Sequence, residues 1–301
     1  MDVEIVKQNG QSFRLSDYGV VQDFVVHSVD RSVVRDPIEG RAGSVDYGVE
    51  IGDRTIEVPM IFKAADLHDY AHLRDELYGI LDDSEPFYIR EMRRPKELQY
   101  DFVDFGQKPK WEAQTDNEYV NGKQYKVRLN STLTPEQRSL SGEVSIEFVT
   151  SGIPYAESIY TSLEMHDSGY SATAEKYGLV DNIDDAKVKY RFTESNFSVY
   201  NAGNVTVEPE SMMLDIIVNA VQSTNNFTIR NKTTGEEIVL KRASTGSHFR
   251  IQGMVVSLGS ITNIFRDTNR KFISLAPGDN EFEILNGTFR EIRFDFKYYY
   301  K

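Results

Sequence analysis

Apolar and polar residues alternate through much of the chain. Val3 to Val6 and Val20 to Val29 open with strand-like runs. Val45, Tyr47, Val49 and Ile51 then recur at a spacing of two, Gly52-Asp53 follows, and Ile56, Val58, Met60 and Phe62 resume the spacing. Alternation on both sides of a turn pair predicts a β-hairpin over 45–62. Pro59 in its second strand predicts a neighbour that asks for no N–H there. One stretch has the helical period instead: Leu67, Tyr70, Leu73, Leu77 and Ile80, with Asp66 as N-cap and Asp69 three residues on. That helix is expected to stop near Asp82-Asp83. Tyr125–Leu129 and Val144–Phe148 read as strands, with a polar loop over 131–141.

The pattern breaks at Gly152 and Pro154 within the stretch TSGIPYAES, which sets expected domains of 1–152 and 153–301. Ser168 to Asp185 is polar and without period. Short strands then follow one another: Val188–Phe192, Phe197–Val199, Val205–Val207, Leu214–Val218, Phe227–Ile229, Ile238–Leu240, Phe249–Ile251, Val255, Phe272–Leu275, Phe282–Ile284 and Ile292–Tyr298. Turn residues recur about every ten positions, the spacing of a two-sheet sandwich.

Composition narrows the function. The 301 residues include no cysteine, which excludes disulfides and thiolate metal sites and suits folding in a reducing compartment. Net charge is -13, which disfavours a surface built to hold phosphate. The excess is uneven, with 28 acidic and 18 basic side chains in residues 1–150 against 19 and 16 in residues 151–301. The start of the chain has no basic, apolar leader pattern, so a secretory signal is not expected. No run of about 18 apolar residues predicts a membrane span. Nucleotide-loop, serine-hydrolase and zinc-protease motifs are absent from the sequence.

The remaining candidates are sparse. His68 and His72 share one face of the predicted helix at metal-ligand spacing, but no third ligand is placed by spacing. Asp82, Asp83 and Glu85, like Asp181, Asp184 and Asp185, read as solvated turns rather than a catalytic carboxylate pair. Trp111 is the single tryptophan and reads as packing. Arg90, Arg93, Arg94 and Lys96 form a basic cluster suited to a protein contact. Segment Asp30–Gly43 (DRSVVRDPIEGRAG) is not a clean strand and mixes Arg31, Arg35 and Arg41 with Asp30, Asp36 and Glu39. It fits either a solvated loop or a surface that pairs with an identical neighbour. No catalytic residue, metal or cofactor is expected.

Four stretches occur in a recognisable order: FVTSGIPYAES at 148–158, FSVYNAGNVTVEP at 197–209, SLAPGDNEFEI at 274–284 and IRFDFKYYY at 292–300. Within them Gly203 is expected at positive φ in the 201–204 turn, and Asn280 is expected to satisfy turn backbone with its side chain. With the hairpin and helix ahead of them, these stretches resemble the distal tail proteins of siphophages that infect Gram-positive bacteria. The resemblance implies a mainly β chain: an N-terminal β-sandwich-like domain with one helix and an extended β-hairpin arm, then a C-terminal galectin-like β-sandwich. It implies a homo-hexameric ring at the virion tail tip, assembled in the host cytoplasm, that joins the tail tube protein to the tail-tip protein and to receptor-binding or baseplate proteins. Genomic DNA would pass its lumen without specific binding. The arm would lie within 30–62, with Arg31, Arg35, Asp36, Arg41 and Tyr47 as subunit-interface candidates. Two other readings stand beside it: a carbohydrate-binding adhesin module, and a cell-wall hydrolase.

Overall fold

The computed structural model describes residues 1–40, 42–92, 122–261 and 263–301. The chain forms two compact units, Met1–Pro154 and Tyr155–Lys301. Among the described residues no helix is long and apolar enough to cross a membrane.

The first unit contains β1 (Asp2–Val6), β2 (Ser12–Arg14), β3 (Val20–Val21), β4 (Val25–Val26), β5 (Arg31–Pro37), β6 (Ser44–Ile51), β7 (Thr55–Lys63), α1 (Leu67–Leu81), β8 (Phe87–Met92), β9 (Lys123–Leu129), β10 (Glu136–Arg138) and β11 (Ser141–Thr150). Its main sheet is antiparallel, in the order β2-β1-β8-β9-β11-β7-β3, with β4 also on β7 and β10 on β11. The sheet rolls so that β3 returns beside β1, and its walls face one another across a single core. Ile56, Val58, Met60 and Phe62 of β7 are fully buried there against Ile146 and Phe148 of β11, Phe87 and Ile89 of β8, and Val3 and Ile5 of β1. Each such side chain stabilises the unit by roughly 1.5–3 kcal/mol. Helix α1 closes the core with Tyr70, Leu77, Ile80 and Leu81, and begins where its capping residue predicts: the Asp66 carboxylate accepts from the Asp69 N–H at 2.8 Å.

Pro59 sits where the sequence requires. Its carbonyl accepts from Gln22 N–H at 2.9 Å in the gap between β3 and β4, so the position without an N–H faces exposed Gln22 rather than a ladder strand. Gly142 is needed for space, because a Cβ there would lie 2.3 Å from the Phe62 ring.

The predicted 45–62 hairpin is not formed. β6 pairs with β5, while β7 pairs with β11, β3 and β4. Gly52-Asp53 carries the chain from one sheet into another instead of reversing it. The two strands share a period but bury different things: β7 faces the core and β6 faces none. The strand expected over 20–29 breaks into β3 and β4, and the 131–141 loop contains β10.

The second unit contains β12 (Ala156–Ser158), α2 (Ser162–Ser168), α3 (Tyr170–Tyr177), β13 (Arg191–Phe192), β14 (Asn196–Asn201), β15 (Leu214–Ser223), β16 (Phe227–Asn231), β17 (Glu236–Leu240), β18 (Ser244–Gln252), β19 (Val255–Leu258), β20 (Gly278–Leu285), β21 (Glu291–Phe296) and β22 (Tyr299–Tyr300). Two antiparallel sheets, β13-β21-β15-β18-β19 and β14-β20-β16-β17, form the sandwich, with β12 paired to β22. Phenylalanines fill its interior: Phe192 stacks on Phe197 at 4.3 Å, Phe197 on Phe282 at 5.5 Å, and Phe282 meets Phe294 at 4.8 Å. Val205–Val207 and Phe272–Leu275, expected as strands, reduce to one bridge between Val207 and Leu275.

The stretch read as irregular holds α2 and α3. Both are short, and among the described residues only Ser162, Met165 and Thr173 are buried from them, too few positions to show a period. The sequence did carry a start signal, Thr161 followed three residues later by Glu164; the Thr161 hydroxyl accepts from Glu164 N–H at 3.2 Å. Buried Ser162 then spans β21, its hydroxyl donating to Phe294 O and accepting from Phe296 N–H, both at 3.1 Å.

Candidate assembly surface

The sequence-predicted interface residues fall on β5 and β6, a two-stranded ribbon outside the core of the first unit. Every β5 residue is exposed, as is every β6 residue except half-buried Val45. Arg31, Arg35 and Asp36 lie on β5, which corrects the reading of their segment as no clean strand. Tyr47 lies on β6 and is 63% exposed. Arg41, together with Arg93, Arg94, Lys96 and Trp111, lies outside the described residues. Arg90, from the same basic cluster, is committed internally, with its guanidinium 3.0 Å from both the Glu4 carboxylate and the Gln124 side-chain oxygen.

The ribbon's root is built firmly. Gly52 N–H donates to Asp30 O and Asp30 N–H to Asp53 O, each at 2.9 Å. One residue on, Arg54 is buried, its N–H donates to the Thr150 hydroxyl at 2.9 Å, and its guanidinium lies 6.0 Å from the Tyr125 ring centre. Burial pushes the Tyr125 phenol up, and the adjacent Arg54 partly offsets that. A rigid root therefore carries a ribbon with nothing under it. Val33, Val34, Tyr47, Val49 and Ile51 are all more than one third exposed. An isolated two-stranded ribbon is marginal in water, and an exposed apolar one with free edges is a template for another chain.

Other candidates resolve into structure. His68 and His72 are exposed on α1. No group of three metal-ligand side chains within reach of one ion occurs among the described residues. In the second unit an open cleft of about 350 Å³ is lined by Lys187, Lys189, Phe192, Phe197, Tyr200 and Asp279, among others. Its rings are already engaged: Phe192 and Phe197 stack on each other, and Lys187 Nζ lies 4.6 Å over Tyr200 while pairing with Asp279 at 2.6 Å. The glycan-binding reading gains no free stacking platform there.

The stretches that carry the family resemblance act as internal staples. Asn280 is fully buried; its amide donates to Ala276 O at 2.8 Å and Gly278 O at 3.1 Å, and its oxygen accepts from Ala276 N–H at 2.9 Å and from the Asn231 amide at 3.1 Å. Gly278 holds the turn at φ +85°. Gly203 does not take a positive φ. It is required by close approach, because a Cβ there would lie 2.6 Å from Tyr299 O. That contact lets Asn204 N–H reach Tyr299 O at 3.0 Å. The terminal tyrosines bind the loop after α3: Tyr300 donates to Asp181 O at 2.8 Å, while Tyr298 donates to Tyr190, which donates to Tyr200 O.

The first unit is thus a rolled sheet carrying a core-free ribbon, and the second is a two-sheet sandwich. Residues 8–150 match the family model of the phage tail protein RIFT-related domain. The fold over 98% of the chain is similar to that of the SPP1 Dit protein, described as a paradigm of the hub adsorption apparatus in phages infecting Gram-positive bacteria; identity is 14%, 99% of that chain is covered and the TM-score is 0.63. Looser likenesses exist to the phage p2 baseplate in its activated conformation, with strontium (12% identity, 98% and 97% of the two chains, TM-score 0.42) and with calcium (11%, 99% and 97%, TM-score 0.40). None of the curated proteins compared matches the sequence. The first unit thus matches a phage tail protein RIFT-related domain, and the fold of the whole length is similar to that of a siphophage distal tail protein.

Proposed function

We propose that this chain is a hub of the tail tip, forming a homo-hexameric ring that joins the tail tube to the tail-tip and to baseplate or receptor-binding proteins. The observation that carries the reading is the β5–β6 ribbon: an exposed apolar arm on a buried root, inside the matched tail domain. An arm of this kind gains its missing contacts only from another chain. Arg31, Arg35, Asp36, Arg41 and Tyr47 are the proposed interface residues. The acidic excess of residues 1–150 suits a passage for DNA, since carboxylates repel phosphate and keep a duplex from adhering.

Particle mass in solution tests the ring. The expected value is six times the 34.4 kDa of one chain, with a ring in negatively stained images. Replacing residues 31–51 by a short turn should return the mass to that of one chain while leaving both units folded. A wild-type chain that stays monomeric at tens of micromolar, or an arm-deleted chain that still forms rings, overturns the reading.

A further inference from the structure

The sandwich of the second unit leaves one sheet edge open. Its edge strands are β13 and β19 in one sheet, β14 and β17 in the other. β17 is covered by its own chain: Asn269 N–H donates to Val239 O at 3.1 Å, Val239 N–H donates to the Asn269 side-chain oxygen at 3.1 Å, and Lys241 N–H donates to Asp267 O at 2.8 Å. β19 is covered by Ile261, which exchanges two bonds with Leu258 at 3.0 Å, and by Ile264, whose N–H donates to Val256 O at 2.8 Å. β13 is only two residues long. β14 runs for six residues with β20 on one side and no strand on the other. Its register is unbroken, and it has no proline or lysine. It therefore has none of the devices that commonly blunt an edge.

The backbone groups of β14 divide by direction. Ile284 N–H donates to Ser195 O at 2.8 Å, so Ser195 bonds toward β20. Bonding direction alternates along an antiparallel strand, and Asn196, Ser198 and Tyr200 therefore turn their N–H and C=O groups outward. At Tyr200 that side is closed, because its carbonyl accepts from the Tyr190 hydroxyl at 2.9 Å. Asn196 and Ser198 are exposed, and among the described residues their outward N–H and C=O groups have no partner.

The open cleft of about 350 Å³ lies beside these two residues. Its lining combines the stacked Phe192 and Phe197 with Lys187 and Lys189. Lys187 is held by Asp279 at 2.6 Å, whereas exposed Lys189 meets Glu194 only at 3.9 Å. A strand laid antiparallel on β14 would satisfy the main chains of Asn196 and Ser198. Its residue opposite Phe197 would share that ring's face and meet Phe192 and Phe197, which calls for an apolar side chain. Lys189 calls for a carboxylate. A second β14 fits this poorly: its Phe197 is already stacked on Phe282, and Asn196–Asn201 contains no acidic residue.

We propose that the β14 edge takes up an extended segment of a different protein as an added strand, with an apolar side chain opposite Phe197 and a carboxylate within reach of Lys189. Main-chain bonds supply the affinity and the cleft supplies the selection.

Proline at position 198 tests this, because the N–H it removes faces away from β20 and no ladder bond is lost. Ser198→Pro should leave the melting temperature of the full chain unchanged. A displayed library of random linear peptides is selected on the wild-type chain, and the winners are synthesised. Winners should carry an apolar residue near Asp or Glu, and on binding should protect the Asn196 and Ser198 amides from hydrogen exchange. They should bind Ser198→Pro about tenfold more weakly. Lys189→Glu, which touches no ladder bond, should weaken them as well. A selection without winners, or winners that bind wild type and both variants equally, overturns the proposal. A wild-type assembly whose mass falls on Ser198→Pro makes a second copy the occupant and overturns the choice of partner. The ring reading is independent of these outcomes, since its mass is measured without peptide.

Discussion

Two ribbons of similar pattern meet opposite fates in this molecule. In β16–β17, Phe227 stands opposite Leu240 and Ile229 opposite Ile238, and all four are fully buried between the sheets of the sandwich. In β5–β6, Val33 stands opposite Val49 and Arg31 opposite Ile51, and all are exposed. Both alternate, and both pair antiparallel. The first is held by its own chain through burial. The second has hydrogen bonds and cross-strand contacts but no core beneath it. An apolar strand pair therefore has two uses, and burial distinguishes them.

The largest expected effect lies in the buried ribbon. Phe227→Ala should destabilise the second unit by about 3–5 kcal/mol, through lost transfer energy and a cavity, measured by urea unfolding. A loss below about 1 kcal/mol would mean that the sandwich collapses around the gap and that its burial differs less from the arm's than the structure implies. Asn280→Ala comes next. It abandons Ala276 N–H, Ala276 O and the Asn231 amide in a dry site, and should cost about 2–3 kcal/mol by the same measurement.

The tyrosine cluster sharpens the contrast through pH. Burial pushes the Tyr160 phenol up to about 12 and holds Tyr190, Tyr298 and Tyr300 above the usual phenol range. These groups stay neutral when folded and ionise near their ordinary value of about 10 when unfolded. Their stabilisation is complete below about pH 10 and declines as pH rises from there, through about 12 for Tyr160. The urea midpoint of the second unit should fall between about pH 9.5 and 11.5; a flat midpoint would show these phenols to be solvated. Tyr298→Phe should cost only about 1 kcal/mol at neutral pH and should flatten the alkaline decline.

The smallest stability change belongs to the arm. Val49→Ser with Ile51→Ser should alter the unfolding free energy of the unassembled chain by no more than about 0.5 kcal/mol, while weakening assembly. A loss of several kcal/mol in the unassembled chain would show that the arm packs on its own unit, and the comparison would fail.

Local chemistry was legible from residue order alone. The Asp66 cap, the period of α1, the tolerance for Pro59 and the turn role of Asn280 all follow from neighbours a few positions apart. Short-range hydrogen bonds and strand or helix period decide such features. The stretches around Asn201, Asn280 and the terminal tyrosines also carried the likeness to distal tail proteins. Pairing across distance was not legible. β6 reads as well against β7 as against β5, because alternation marks a strand without naming its partner; the shared core that claims β7 makes the choice. Gly203 shows the same limit, since its need for a bare Cα comes from Tyr299, 96 positions away. Nor could residue order alone show that Arg35 shares a face with Asp46 while Asp36 turns away. That sorting depends on a one-residue bulge, and it exists only once the two strands are side by side.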